Sequence, residues 1–182
     1  MSEQRDKNLW IFNAGNSFAG NPKWMFEYII RHHKEIKPVW MCYNADTMNY
    51  VHKLGYEAEL YHSSKGKSVM AKAGVYVVEM CKEVFQPELS GITVLNLWHG
   101  VGCKSIERKE TDGFLQERIA KKYIQNNDIL RNNQLFLVTS EIMEKHFKEQ
   151  CGIDDDKVIR AGYPRCVVND NIQSYDHDIR KK

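Results

Sequence analysis

Short runs rich in β-branched and aromatic residues alternate with stretches of helical spacing along nearly the whole chain. No other feature of the sequence narrows the fold as much. Residues 9–13, 39–43, 57–61 and 75–79 read as four strands in order, and 135–139 and 158–161 as the last two. Between them, residues 92–98 form the most apolar run, which suits a central strand covered on both faces. Helical patterns fill the gaps at 47–54, 65–72 and 141–150, the first stopped by Gly55 and the last followed by Gly152 as a C-cap. The first helix is expected to start at Pro22 behind Asn21 as N-cap, with Trp24, Met25, Tyr28 and Ile29 on its buried face. Residues 100–133 are a long insertion whose helix places Leu115, Ile119 and Tyr123 on one side. Strands separated by helices imply right-handed crossovers. The expected class is α/β: a Rossmann-like, mostly parallel sheet with helices on both faces.

At 182 residues the chain suits a single domain, 1–182, and 42% apolar residues suffice for its core. A formal charge of +2 excludes strong whole-domain attraction to nucleic acid, so none is expected as a partner. No run approaches the roughly 18 apolar residues of a membrane span, and the polar start gives no expectation of a secretory signal. The cysteines Cys42, Cys81, Cys103, Cys151 and Cys166 are odd in number and form no C-x-x-C, so reduced thiols are expected.

Ligands of open α/β sheets bind beyond the carboxyl ends of the strands. Two segments stand there. In Gly15-Asn16-Ser17-Phe18-Ala19-Gly20-Asn21-Pro22 the glycines have P-loop spacing, but Asn-Pro follows where Lys-Ser/Thr is required. The G-x-G-x-x-G pattern fails as well, so neither an ATP site nor a dinucleotide site is supported. Two readings remain: an anion-holding loop against a helix N-terminus, or a turn that uses glycine for geometry alone.

The second segment is Trp98-His99-Gly100-Val101-Gly102-Cys103-Lys104, at the end of the most buried strand. His99 stands where a substrate would arrive and can act as a general base near neutral pH. Gly100 would let a ligand approach the backbone, and Lys104 would meet phosphate as a point charge. The competing reading is a histidine that only satisfies backbone groups at a strand end.

Taken in order, several features resemble the CDP-glycerol:poly(glycerophosphate) glycerophosphotransferases of teichoic acid and capsule synthesis. They are Phe18-x-Gly20-Asn21-Pro22-Lys23, Lys37-Pro38-Val39-Trp40, Leu54-Gly55-Tyr56-Glu57-Ala58, Ala71-Lys72-Ala73, Trp98-His99-Gly100 with Lys104, and Gly162-Tyr163-Pro164-Arg165. The resemblance runs from about Trp10 to Arg165. It implies the N-terminal, acceptor-side half of a GT-B fold, with His99 deprotonating the terminal hydroxyl of a growing polymer. The resulting alkoxide would attack the β-phosphorus of CDP-glycerol, or a related CDP-polyol, and release CMP. Substrate contacts are then expected from Gly15, Asn16, Gly20, Asn21, Trp98, Gly100, Lys104 and Arg165, with no cofactor and no metal. The family's donor-binding domain is not found in these 182 residues, so the expectation is a half-enzyme: a truncated product, a split subunit or an excised domain. The expected setting is the cytoplasm, with the inner face of the membrane and a polymer or lipid-linked acceptor as partners. Gly102-Cys103 stands where relatives more often show a Thr-Pro-Leu-like run.

Two other functions are weighed against this one: a non-catalytic glycan-, polyanion- or partner-binding module, and a nucleotide-sugar glycosyltransferase relative. Lys104, Arg108, Lys109, Arg118, Lys121 and Lys122 could meet an anionic membrane surface. The interleaved Glu107, Glu110, Asp112 and Glu117 favour a solvated, salt-bridged face instead. His32-His33 reads as helix-end capping, Asp154-Asp155-Asp156 as a polar turn, and Trp24 and Tyr28 as core.

Overall fold

The computed structural model describes residues 5–80, 86–102, 105–110, 113–126, 129–130 and 133–166. They form one sheet of seven strands in the order β3-β2-β1-β4-β5-β6-β7, every neighbouring pair parallel. The strands are β1 (Asp6–Asn13), β2 (Lys37–Cys42), β3 (Ala58–Leu60), β4 (Ala73–Val78), β5 (Thr93–Asn96), β6 (Gln134–Val138) and β7 (Val158–Arg160). The helices are α1 (Gly20–His32), α2 (Ala45–Lys53), α3 (Ser64–Lys72), α4 (Gly113–Gln125) and α5 (Glu141–Cys151). Successive strands run leftward from β1 to β3 and rightward from β4 to β7, so the order reverses between β1 and β4. That reversal opens a crevice beyond their carboxyl ends.

Alternation along the strands divides the core. On β1, Phe12 faces one layer and Ile11 the other, and both are fully buried. The Phe12 layer is aromatic: Phe18, Phe26 and Trp40 pack with ring centroids 4.6 to 5.8 Å apart in edge-on contacts. The Ile11 layer is mostly aliphatic, built on Met41, Met70, Ile92 and Val94. β5 lies between β4 and β6 as an interior strand, as its apolar run predicts.

Three helices start on side-chain caps. Asn44 accepts from Thr47 N at 2.8 Å, Ser63 from Gly66 N at 2.9 Å and Ser140 from Met143 N at 3.3 Å. Gly152 closes α5 in the left-handed conformation (φ 67°), as expected.

α1 departs from its expected form. It starts at Gly20, and its cap position is Ala19, whose own side chain makes no capping bond. Asn21 is therefore inside the helix, and its amide is spent elsewhere. The buried stripe is Phe26 and Ile29, whereas Tyr28 is 50% exposed, so the assignment of Tyr28 to the core is overturned. Trp24, only half-buried, and Tyr28 instead line an open groove of about 550 Å³ with Leu95, Leu97, Leu137 and Ile159. The cause is rotational: Phe26 turns down onto Phe12 and Trp40, which swings Trp24 and Tyr28 toward the β5–β7 side.

The insertion also differs from expectation. Leu115 is exposed, α4 turns Lys122 and Tyr123 inward, and Asn126, just past its end, is buried. Lys122 is not part of a solvated basic face: its Nζ sits 2.7 and 2.9 Å from the Glu107 carboxylate, with both side chains largely buried. His33 caps the end of α1 through its backbone N–H to Ile29 O, and Asp155 and Asp156 pair with Lys148 and Lys157. Among the described residues no helix is long and apolar enough to cross a membrane. Cys42, Cys151 and Cys166 are free thiols; Cys81, Cys103, Lys104 and Asp112 lie outside the described residues.

Candidate functional site

The β5 ladder ends at Asn96, two residues short of the apolar run, because the backbone turns sharply there. Asn96 Oδ1 accepts Trp98 N at 3.0 Å, and Trp98 adopts a left-handed φ of 52°. For a bulky residue that conformation costs on the order of 1–2 kcal/mol, so the surroundings must hold it. Trp98 is 6% exposed, and its ring packs 5.1 Å from Phe147 and 5.7 Å from Phe136. Its carbonyl receives Asn21 Nδ2 at 2.7 Å. The turn presents His99 to solvent, with its imidazole stacked on the Trp98 ring at 4.5 Å.

A second clamp comes from the turn after β7. Tyr163 Oη donates to Gly100 O at 2.7 Å, and Arg165 Nη1 donates to His99 O at 2.8 Å. Arg165 N donates to Asn21 Oδ1 at 3.3 Å. The Asn21 side chain, itself fully buried, thus joins three segments that are far apart in sequence. Asn21, Trp98, His99, Gly100 and Arg165 come together at one end of the sheet. Within this group Asn21 and Trp98 are buried scaffold, while His99 and Arg165 face solvent.

Glu79, just past β4, was not singled out from the sequence. Its Oε1 accepts Asn21 N at 2.6 Å, so the carboxylate sits at the start of α1. Burial pushes the Glu79 carboxyl above the ordinary carboxylate range, while the Asn21 N–H, His99 and Arg165 pull it back. Gly20 leaves room for it: φ is +67°, and a Cβ there would lie 1.8 Å from Glu79 Oε1, so a larger residue would have to displace the carboxylate. The anion at this helix N-terminus is therefore the chain's own carboxylate, which takes the N–H that the loop reading reserved for phosphate.

The front of the same loop points elsewhere. Gly15 N donates to Asn13 Oδ1 at 3.0 Å, and Asn13 Nδ2 donates to Met41 O at 2.7 Å. Asn16, which is exposed, accepts Thr47 Oγ1 on its carbonyl at 2.8 Å. These bonds tie Gly15 and Asn16 toward β2 and α2. Tyr163 was within reach of sequence reasoning, inside Gly162-Tyr163-Pro164-Arg165. Glu79 left a fainter signal, an acid directly after an apolar strand at the switch point.

The arrangement offers one exposed imidazole and one guanidinium at the mouth of the sheet. The imidazole can take a proton from an approaching hydroxyl, and the guanidinium can pair with an anionic oxygen.

The chain is similar in sequence and in fold to known polymerases. The teichoic acid poly(glycerol phosphate) polymerase of Bacillus subtilis (strain 168) is 25% identical over 171 residues, covering 86% of this chain and 21% of the polymerase. Solved structures of the wall teichoic acid polymerase TagF share the fold. One, a variant soaked with CDPG, superposes with a TM-score of 0.76 at 18% identity over all of this chain and 45% of that one. Another variant gives 0.74 at 18% identity over 97% of this chain and 44% of that one. The chain thus spans less than half of the polymerases it matches. The family profile described as CDP-Glycerol:Poly(glycerophosphate) glycerophosphotransferase matches residues 1–181, and the chain belongs to that family.

Proposed function

We propose that this chain is the acceptor-side half of a CDP-glycerol, or related CDP-polyol, glycerophosphotransferase. The observation that carries the reading is the presentation of His99: a strained Trp98 turn, clamped by Asn21 and faced by Arg165, holds an exposed imidazole beyond the sheet. In this role His99 takes the proton of the terminal hydroxyl of a teichoic-acid or capsular polymer. The hydroxyl oxygen forms a bond to the β-phosphorus of CDP-glycerol, the bond from that phosphorus to the bridging oxygen breaks, and CMP leaves with the bridging electrons. Arg165 positions an anionic oxygen of the acceptor. The donor is held by a second domain of the family's two-domain plan or by a separate chain. The reaction fits the cytoplasmic side of the membrane, with the protein peripheral to it and no nucleic acid involved.

The test is CMP release from CDP-glycerol with a glycerophosphate-primed lipid acceptor, together with calorimetric binding of a glycerophosphate oligomer. The oligomer is expected to bind the 182-residue protein and to bind Arg165→Ala at least about tenfold more weakly, a loss of about 1.4 kcal/mol. Absence of oligomer binding would overturn the acceptor-side reading. CMP release that disappears in His99→Ala would establish the base and show that the chain is self-sufficient rather than a half. CMP release undiminished in His99→Ala would remove His99 from the chemistry.

The open groove between α1 and β5–β7 favours one second reading, a non-catalytic module that docks a partner on this apolar surface. Oligomer binding without turnover when the donor-binding half is supplied would select it.

A further inference from the structure

We propose that the groove between α1 and β5–β7 is the docking site of this chain's own segment 167–182, laid along it as an amphipathic helix that covers the open half of the sheet and braces the turn carrying Arg165. The proposal is independent of the chemistry read for His99, and it competes for one surface with the partner-docking reading.

The groove is the uncovered part of one sheet face. Phe12 pairs with Val77, Val77 with Leu95, Leu95 with Leu135, and Leu137 with Ile159. Alternation along β6 keeps Leu135 and Leu137 on one side, so these residues share a face. α1 covers that face over β1, where Phe26 packs 5.2 Å from Phe12. α5 packs on the opposite face, with Phe147 5.0 Å from Phe136. Over β5–β7 the first face has a floor of Leu95, Leu97, Leu137 and Ile159 and a wall of Trp24 and Tyr28, around a space of about 550 Å³. Parallel sheets are covered on both faces, so this space stands where a further helix belongs.

Chain path and sequence both point to the occupant. Pro164 lines one end of the groove, and the chain runs from it through Cys166, the last described residue, into 167–182. In that segment Val168, Ile172, Tyr175 and Ile179 recur at spacings of four, three and four, which is the stripe of one helix face. Every other position from Asn169 to Lys182 is polar or charged. At 1.5 Å per residue the stripe is about 16 Å long, against about 12 Å from Trp24 to His32 along α1, so it spans the groove. The charges agree as well. Arg31 and His32 stand in the last turn of α1, at the end that Asp176 and Asp178 would reach. A segment tethered at the rim is also present at an effective concentration on the order of millimolar, which a separate partner would have to exceed. Seating it bears on the site, because Arg165 N and Nη1, just ahead of the segment, hold Asn21 Oδ1 and His99 O.

The experiment places the photoreactive residue p-benzoylphenylalanine in the groove of the purified 182-residue protein. One variant carries it at position 28 in place of the half-exposed Tyr28, the other at position 32 in place of the exposed His32. After irradiation and trypsin cleavage, mass spectrometry identifies what each probe has captured. The expected product is a link within one chain to the peptide Cys166–Arg180, and from position 32 it falls nearer Ile179 than Val168. Ile172→Asp and Tyr175→Asp, on the stripe, should lower the yield at least about fivefold, while Gln173→Asp, off it, should leave the yield unchanged. Should one probe variant not fold, the other reports on the same groove. A covalent dimer would assign the groove to a second copy of the chain, and no link to Cys166–Arg180 would leave it to a separate partner. Either result overturns the proposal, as does a yield that Ile172→Asp and Tyr175→Asp do not change. The CMP-release test of His99 is untouched by all of these outcomes, so the two readings fail separately.

Discussion

Gly20→Ala tests the self-capped start of α1 directly, because Gly15 supplies an internal control. Both glycines have φ +67°, but a Cβ on Gly15 meets nothing within 4 Å, whereas one on Gly20 meets the Glu79 carboxylate at 1.8 Å. Forcing alanine into the left-handed region costs about 1–2 kcal/mol at either site, partly offset by about 0.4–1 kcal/mol from the stiffer unfolded chain. Gly15→Ala should therefore lose about 1 kcal/mol. Gly20→Ala must also expel the Glu79 side chain. Expulsion is sterically easy for a flexible carboxylate, but it forfeits the 2.6 Å bond to Asn21 N. A helix-capping bond of this kind contributes about 1–2 kcal/mol at a half-buried position, which brings Gly20→Ala to about 2–3 kcal/mol. Urea unfolding followed by tryptophan fluorescence measures both values. In a Glu79→Ala background the clash and the bond are both gone, so the two glycine variants should then lose similar amounts. Equal losses in the wild-type background, or a gap that persists without Glu79, would refute the reasoning.

Asn21→Ala strands the Trp98 carbonyl and the Arg165 N–H, and about 2–4 kcal/mol of stability should go with them; a loss below about 0.5 kcal/mol in the same unfolding assay would contradict the clamp. Glu107→Gln leaves the buried Lys122 ammonium without its counter-charge and should cost about 3–5 kcal/mol, while replacing both residues by Met should restore most of it. Cys42, 1% exposed and pushed up to about 12 by burial and by the nearby Glu59, should resist iodoacetamide at pH 8 until the chain unfolds; the exposed Cys166 should react, as peptide mass spectrometry of the native protein would show. Glu79 gives a pH dependence of defined sign. Its carboxyl is raised on folding, so its contribution to stability is present below the ordinary carboxylate range and is lost as pH rises through the folded value; Glu79→Gln should flatten that part of the urea-midpoint profile.

Much of the fold was legible because strand and crossover signals are local. The apolar run at 92–98 contains β5, the run at 75–79 overlaps the last four residues of β4, and the spacing of 141–150 with Gly152 marks α5 to within one residue. What misled was chemistry whose partner is remote in sequence. Asn21-Pro22 carries a sound local signature for a helix start, yet Glu79 caps that helix from 58 residues away, which frees the Asn21 amide for Trp98. Trp24 and Tyr28 have core spacing, but which stripe of an amphipathic helix turns inward depends on what the sheet offers. Here the aromatic surface of Phe12 and Trp40 selects Phe26. The charge run of the insertion read as solvated for the same reason. The pair of Lys122 with Glu107 bridges 15 residues, and Glu107 adopts a left-handed φ of 52° within it, which no composition argument can foresee.

The site residues separate along the same line, and the separation bears on how phosphate can be handled. A free helix N-terminus is an anion site that any phosphate could fill. In this chain it is filled internally, by the Glu79 carboxylate on Asn21 N, so an incoming phosphate would have to displace that carboxylate to use it. Positive charge for an incoming phosphate then has to come from side chains that face solvent. Among the described residues Arg165 stands nearest the His99 turn, bonded to its carbonyl. Any anion contact made here is therefore a screened surface guanidinium, while the buried helix N-terminus and the Glu79 carboxylate hold the turn that carries His99.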